Sequence, residues 1–145
     1  MMIIDGKKEA EILRQEIKKE IVSLKSKNNK VPGLTVILIG DFAPSQIYVK
    51  NKEKSAKEVG INSNVVRYSK EVTEEEVLKK IEDLNNDTDV SGILVQLPLP
   101  PQINKEKIIN AVSPKKDVDG FHPINVGNLS SGYHSLVPCT PLGCL

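Results

Sequence analysis

The chain is organised around the stretch Gly40-Asp-Phe-Ala-Pro-Ser-Gln-Ile-Tyr-Val-Lys-Asn-Lys-Glu-Lys-Ser-Ala-Lys-Glu-Val-Gly60. At about 100° per residue, this stretch predicts an amphipathic helix. The residues of its protein-facing stripe are Ser45, Tyr48, Val49, Lys52, Ser55, Ala56 and Val59. The residues of its solvated face are Lys50, Glu53, Lys54 and Lys57. Lys52 is therefore the charged residue of the side that we expect to contact protein.

Lys52 has two interpretations. In the first, its carbon stem covers apolar surface while the ammonium reaches water. In the second it is a functional amine, because Tyr48 lies one turn earlier at the spacing that brings side chains together. A lysine and a phenol would then share one partly dry cleft, where burial disfavours the charged ammonium and prepares Lys52 for proton transfer. The helix alone does not decide between them.

Composition narrows the class of protein. The 145 residues are 39% hydrophobic, which suits one globular domain. The net charge is +1 and lysines alternate with glutamates, so we expect neither a nucleic-acid partner nor attraction to an anionic membrane. No apolar run approaches the roughly 20 residues that span a bilayer. Met1–Asp5 is too short and too acidic for a signal peptide, so we expect a cytoplasmic protein.

The two cysteines do not predict a metal site. Four residues separate Cys139 from Cys144, which does not match the Cys-x-x-Cys spacing. No histidine or carboxylate cluster accompanies them in the sequence, so no metal is expected.

Helices and strands alternate on both sides of the central helix. Before it, hydrophobic spacing predicts a helix from about Lys7 to Asn28, and the apolar run Leu34–Ile39 predicts a strand covered on both faces. After it come a less apolar strand at Asn64–Tyr68, a helix with the capping box Thr73–Glu76, and an apolar strand at Gly92–Leu97.

This alternation predicts an α/β, three-layer domain with a parallel sheet flanked by helices. We expect strands near 34–39, 63–68 and 91–96, in the spatial order second, first, third. The most apolar strand then lies in the middle, and the weaker second strand lies at an edge.

Ligands of such sheets bind in the crevice beyond the carboxyl ends of the strands. We therefore expect Asp41, Lys52, Gln96 and Asp119 to lie near one another. Gln96 ends a buried strand and needs hydrogen-bond partners, for which backbone groups are the default. Asp119 precedes a glycine, which predicts a tight, exposed bend, and an ordinary turn residue is the alternative.

Four blocks of the sequence, in order, resemble the methylenetetrahydrofolate dehydrogenase/cyclohydrolase family, often called FolD. They are Gly40-Asp41 through Pro44-Ser45-Gln46 to Tyr48-Val-Lys-Asn-Lys52, Gly92-Ile-Leu-Val-Gln96-Leu-Pro98-Leu-Pro100, Pro114-Lys-Lys-Asp117-Val-Asp119-Gly120-Phe-His, and Pro138-Cys-Thr-Pro141-x-Gly143. The resemblance covers nearly the whole chain.

The resemblance assigns roles to individual residues. It implies that Lys52, Tyr48 and Gln96 take part in catalysis, and that Asp119 hydrogen-bonds the pterin end of a folate. The residues that it assigns to substrate binding are Ser45, Tyr48, Lys52, Gln96, Leu97, Pro98 and Asp119. It also suggests that Ser45 orients Lys52.

Family members have a folate-binding catalytic half followed by a Rossmann half that binds NADP. The resemblance places residues 1–145 in the catalytic half. No Gly-x-Gly-x-x-Gly motif occurs here, so we expect no cofactor to bind to this chain alone. Thr140-Pro141 predicts a helix N-cap followed by proline. We interpret the chain as a fragment that lacks both the NADP-binding half and the closing helix that, in the family, returns to the catalytic domain.

The resemblance implies oxidation of methylenetetrahydrofolate with NADP and hydrolysis of methenyltetrahydrofolate to formyltetrahydrofolate. These reactions of one-carbon metabolism support purine, methionine and histidine biosynthesis, and a homodimer is expected. Of the two reactions, hydrolysis needs no cofactor. Two alternatives remain: a non-catalytic folate-binding or dimerisation fragment, and a lyase that forms a Schiff base with Lys52.

Overall fold

The computed structural model describes residues 4–144. The elements in chain order are α1 (Gly6–Asn28), β1 (Gly33–Ile39), α2 (Ala43–Val59), β2 (Asn62–Tyr68), α3 (Glu74–Asn86), β3 (Gly92–Val95), α4 (Lys105–Ala111), α5 (Pro123–Ser130) and α6 (Cys139–Cys144). The predicted alternation of strands and helices is confirmed.

The three strands form one parallel sheet in the order β2-β1-β3, as predicted. Val36 of β1 lies opposite Val65 of β2 and Leu94 of β3. The central strand is buried on both faces, since Val36 and Ile37 are fully covered. Strand β2 has exposed and half-buried residues, as expected of an edge strand.

Helices cover both faces of the sheet, so the three-layer architecture is confirmed. On one face, α2 packs its Val49 against a cluster whose strand members are Val36, Leu38 and Leu94. On the other face, α3 and α4 complete a larger cluster that includes Ile37, Ile39, Val77, Ile81, Ile93 and Ile108. Helix α1 packs against α2, outside the sheet. The first of these clusters joins Val49 of α2 to Leu94 of β3, and it therefore fixes where the central helix presents its side chains.

The ends of the central helices follow from their sequences. The predicted capping box of α3 is present: Thr73 Oγ1 accepts from Glu76 N over 3.3 Å, and Glu76 Oε2 accepts from Thr73 N over 3.2 Å. Helix α2 begins after Phe42 with Pro44 in its first turn, and it ends at Gly60, whose φ is 93°. A positive φ is readily adopted by glycine at a helix C-terminus.

Three short helices differ from the sequence interpretation. The sequence patterns do not predict α4 and α5. Helix α6 begins at Cys139, because Leu142 N donates to the carbonyl of Pro138. Thr140 is therefore inside the helix, and its prediction as an N-cap is wrong. Leu145, and Met1–Ile3 of the segment tested for a signal peptide, lie outside the described residues.

No helix among residues 4–144 has both the length and the apolar character to cross a membrane.

Candidate active site

Lys52 and Gln96 come together at the end of β3. Gln96 N donates to the carbonyl of Ile37 over 2.9 Å, so its backbone continues the pairing of β3 with β1. This places its side chain beneath α2. Lys52 Nζ donates to Gln96 Oε1 over 3.2 Å, and Gln96 Nε2 donates to the carbonyl of Leu97 over 2.8 Å. The amide is thereby held with its oxygen toward the amine.

Ser45 acts on the same group of atoms from the first turn of α2. It is 4% exposed, and its Oγ donates to the carbonyl of Leu97 over 3.4 Å. Ser45 precedes Lys52 by almost two turns, about 10 Å along the helix. Its link to Lys52 among the described hydrogen bonds runs through Leu97 and Gln96. Pro98 follows in a cis peptide bond and is exposed.

Asp119 lies in a bend beside the outer edge of β3. The bend was predicted, and Gly120 has a φ of 67°. The predicted exposure is wrong, because Asp119 is half-buried. The reason is that its segment is hydrogen-bonded to the sheet: Ile93 N donates to the carbonyl of Lys116 over 2.7 Å.

The surroundings of Asp119 alter its acidity. Burial raises the pKa of Asp119, the positive charge of Lys52 offsets part of that rise, and the neighbouring Asp117 adds to it. Asp119 is thus a partly desolvated carboxyl group.

Lys52 and Asp119 line one cleft of about 980 Å³. Its walls are otherwise mainly apolar, with Leu34 and Leu94 on the sheet and Val59 on α2. This volume lies at the upper end of the range for small-molecule sites, which have few polar groups on mostly apolar walls. The arrangement can hold a flat, largely apolar ligand with a hydrogen-bond donor edge at one end.

The Lys52–Gln96 pair lies at the carboxyl end of β3, the end of the sheet at which the strand-end rule places a ligand. From Lys52 the cleft runs along the α2 face of the sheet toward Gly33 and Gly92, at the amino ends of β1 and β3. Asp41 and Arg67 belong to a separate depression at the carboxyl ends of β1 and β2, so Asp41 does not join the Lys52 group.

Tyr48 is not buried with Lys52. Its side chain is 63% exposed, which contradicts the prediction of one dry cleft shared by the two residues. Tyr48 lies at the margin of the helical stripe and near the N-terminal end of α2, where the neighbouring residues Phe42 and Ile47 are also exposed.

The sequence analysis missed two residues of the cleft. Arg14 of α1 lines it, and its Nε is buried without a hydrogen-bond partner among the described residues. The signal that singled out Lys52 applies here as well, because Arg14 lies on the same helical face as Ile17 and Ile21. Phe121, just after the Asp119 bend, has no comparable signal in the sequence.

No group of three or more His, Cys, Asp and Glu side chains in the described part of the chain could hold a metal ion. Cys139 and Cys144 are both exposed thiols.

Comparison with known proteins identifies relatives of the whole chain. A family model described as "Tetrahydrofolate dehydrogenase/cyclohydrolase, catalytic domain" matches residues 4–119. The bifunctional protein FolD of Pelagibacter ubique is 65% identical over 144 residues, covering 99% of this chain and 51% of the relative. The chain therefore spans about half the length of the curated relatives that it matches.

Solved structures give the same result. A bifunctional FolD from Campylobacter jejuni superposes with a TM-score of 0.93 at 48% identity, covering 97% of this chain and 50% of that one. A Trypanosoma brucei methylenetetrahydrofolate dehydrogenase-cyclohydrolase, determined with NADP and an inhibitor, has a TM-score of 0.92 at 34% identity, with 96% and 48% covered. The fold and the sequence blocks thus match the same group of enzymes.

Proposed function

The chain belongs to the tetrahydrofolate dehydrogenase/cyclohydrolase family, and on that premise we propose that it is the folate-binding catalytic domain of such an enzyme. We propose that it hydrolyses methenyltetrahydrofolate to formyltetrahydrofolate. The observation that carries this proposal is the hydrogen bond from Lys52 Nζ to Gln96 Oε1, made beside the cleft that also contains Asp119.

The hydrolysis needs a group that moves protons. Water adds to the bridging carbon of the cationic ring and loses a proton. The product of this step is a neutral carbinolamine. Its hydroxyl then loses the second proton to become the formyl oxygen, while the bond from that carbon to one ring nitrogen breaks and this nitrogen takes a proton, so one proton is released overall. The amine of Lys52 can accept the proton of the water and return one to the departing nitrogen.

The neighbouring residues bind and orient. Gln96 holds the amine in place through its amide oxygen. Asp119 accepts hydrogen bonds from the N–H donors of the pterin, since a carboxylate presents two acceptor oxygens. Tyr48 packs against the folate from its exposed position at the margin of the site. Leu97 and Pro98 contact the substrate beside Gln96.

The family also uses NADP, and the segments that follow the three strands of the described sheet do not fit the pyrophosphate of a dinucleotide. A pyrophosphate favours a helix N-terminus with free N–H groups. Helix α2 has Asp41 just before its start and Pro44 in its first turn. The start of α3 is capped by Thr73 and carries three glutamates in its first turn. Strand β3 is followed by prolines instead of a helix.

We propose that oxidation of methylenetetrahydrofolate depends on a second, NADP-binding Rossmann domain like that of family members, and that a closing helix from that part packs on this domain. We also propose that the protein forms a homodimer and is cytoplasmic. Its role would be in one-carbon metabolism for purine, methionine and histidine synthesis. These features are supported by the family resemblance.

The test joins residues 1–145 to the remaining half of the Pelagibacter ubique relative, which is 65% identical in the matched part. The chimera is expected to hydrolyse methenyltetrahydrofolate above the buffer rate, and the same chimera with Lys52→Met is not. A folded chimera that binds folate without hydrolysing it would refute the proposal and support the non-catalytic alternative.

A further inference from the structure

A buried polar cluster lies behind Asp119, and the proposed chemistry does not use it. Asp117, His122 and Asn125 are 6%, 9% and 8% exposed. Asp117 Oδ2 accepts from the backbone N of His122 over 2.8 Å and from Asn125 Nδ2 over 2.9 Å. Burial of a carboxylate costs free energy unless its charge is hydrogen-bonded, and an apolar residue would fill the space without that cost.

The cluster fixes both ends of the segment that carries Asp119. Asn125 Nδ2 also donates to the carbonyl of Pro114 over 2.9 Å, so one amide ties the start of the segment and Asp117 to α5. His122 is the residue just before α5, and its N–H is held by Asp117. Residues 117–122 are thereby closed into a loop by the Asp117 side chain.

Close packing leaves this loop little freedom. A Cβ added to Gly92 would lie 2.5 Å from Val118 Cγ1, so Val118 rests directly on the sheet. A Cβ added to Gly120 would lie 2.7 Å from the carbonyl oxygen of Leu136. Asp119 therefore lies between Val118, which packs on β3, and Gly120, which packs against the segment before α6.

We propose that Asp117 and Asn125 are positioning residues for the folate site, because their hydrogen bonds hold the 117–122 loop so that Asp119 lines the same cleft as Lys52. This proposal rests on the proposed function, because the folate site is part of that function. The position of the loop is measurable without any folate.

Two substitutions separate the geometry of Asp117 from its charge. Asp117→Asn removes the charge but keeps an acceptor oxygen, whereas Asp117→Ala removes both. The first measurement is amide hydrogen exchange of His122 relative to Ile37 by NMR in the 145-residue chain. Because the lost bonds involve a charged acceptor, exchange of His122 is expected to accelerate by about tenfold or more in Asp117→Ala. Asp117→Asn is expected to stay near wild type.

The second measurement is the titration of the Asp119 carboxyl by NMR. Both variants remove the charge of Asp117. A difference in the pKa of Asp119 between the two variants therefore reflects how far its carboxyl group is exposed to water, and not the loss of that charge. The pKa of Asp119 is expected to be lower in Asp117→Ala, since a released loop exposes the carboxyl to water. Equal His122 exchange and equal Asp119 titration in the two variants would overturn the proposal. Asp83→Ala, an exposed carboxylate on α3, is the matched control.

The third measurement is the affinity of the chain for 5-formyltetrahydrofolate, a stable folate. If wild type binds it, Asp117→Ala is expected to bind about tenfold more weakly and Asp117→Asn less than about threefold. A role limited to stability would lower the melting temperature and leave the affinity of the folded protein unchanged. If wild type binds no folate, the proposed function fails, and exchange and titration still decide the positioning role.

Should Asp117→Ala fail to fold, Asn125→Ala takes its place. It removes one of the two bonds to Asp117 and leaves the carboxylate in the chain. Faster exchange of His122 and a lower pKa of Asp119 are again expected, and wild-type values of both would overturn the proposal.

Discussion

Lys52 Nζ donates a hydrogen bond to Gln96 Oε1 over 3.2 Å, although 44 residues separate the two in the chain. One side chain comes from the middle of α2 and the other from the end of β3. The packing of α2 on the sheet therefore sets the position of the amine, and the end of β3 supplies the group that restrains it.

Lys52→Met is expected to abolish hydrolysis of methenyltetrahydrofolate in the chimera while the fold is kept, because methionine replaces the apolar stem. General acid–base assistance is worth about 10²–10⁴-fold in rate, or roughly 3–5 kcal/mol of barrier. Lys54→Met, on the exposed face of α2, is the control. Steady-state rates of the two variants check the prediction. Equal, small losses of rate would show that Lys52 is a surface lysine without a catalytic role.

Gln96→Met is expected to lower kcat by roughly tenfold or more, since a hydrogen bond to a charged group contributes about 1.5–3 kcal/mol. KM should change less, because the amide restrains the amine and is not the main contact with the pterin. Initial rates over a range of substrate concentrations separate the two constants. Gln15→Met, exposed on α1, should leave both unchanged. A change confined to KM would assign Gln96 to substrate binding alone.

Asp119→Asn is expected to stabilise the fold at neutral pH while weakening folate binding. The pKa of Asp119 is raised in the folded protein, so the folded state binds this proton more tightly than the unfolded chain does. Ionised Asp119 therefore lowers stability above its folded pKa. The difference between variant and wild type should narrow as the pH falls through that raised pKa, and it should be smallest below about 4, the ordinary pKa of an aspartate in an unfolded chain.

Urea denaturation of both proteins from neutral to acid pH measures this difference. Asp83→Asn provides the exposed comparison on α3. A variant less stable than wild type at pH 7 would show that the hydrogen bonds of Asp119 outweigh its burial.

Thr73→Ala is expected to lower the free energy of unfolding by about 1 kcal/mol, because it leaves the Glu76 N–H without its cap. Thr88→Ala, an exposed turn residue, should change the free energy little. Urea midpoints of the two variants give the comparison, and equal midpoints would mean that the capping box contributes nothing measurable.

The 145-residue chain alone is expected to catalyse no reduction of NADP by methylenetetrahydrofolate. A pyrophosphate needs free N–H groups at the start of a helix. The start of α2 instead has Asp41 and Pro44, and the start of α3 has three glutamates. The appearance of NADPH is followed spectroscopically. Sustained hydride transfer by the purified chain would show that a cofactor site has been overlooked.

Much of the fold could be predicted because its signals are local. The apolar run at β1 predicts a strand, and the capping box at Thr73 predicts the start of a helix, each from a few neighbouring residues. The strand order was predicted from the rule that the most apolar strand lies in the middle. Helices α4 and α5 have only 7 and 8 residues, too few for a periodic pattern to be distinct.

The site was only partly predictable, because burial is set by distant contacts. Lys52 was singled out by its position on a helical face, and Gln96 and Asp119 by their positions after the third strand and before a glycine; the resemblance then assigned their roles. The exposure of Tyr48 and the burial of Asp119 depend on distant contacts. The edge of β3 lies beside the segment that carries Asp119, whereas the side of α2 that carries Ile47 and Tyr48 is exposed among the described residues. No local pattern carries that information.

The order of the site along the chain has a consequence for synthesis. Lys52 leaves the ribosome well before Gln96, and Asp119 follows later still. Strand β3 has only four residues; it pairs with β1 on one side and is bridged to Asp117 on the other. A nascent chain can form the β1–β2 pair early, yet it has no complete binding surface until residue 119 has emerged. Folate can therefore stabilise the finished domain but cannot guide its first folding steps.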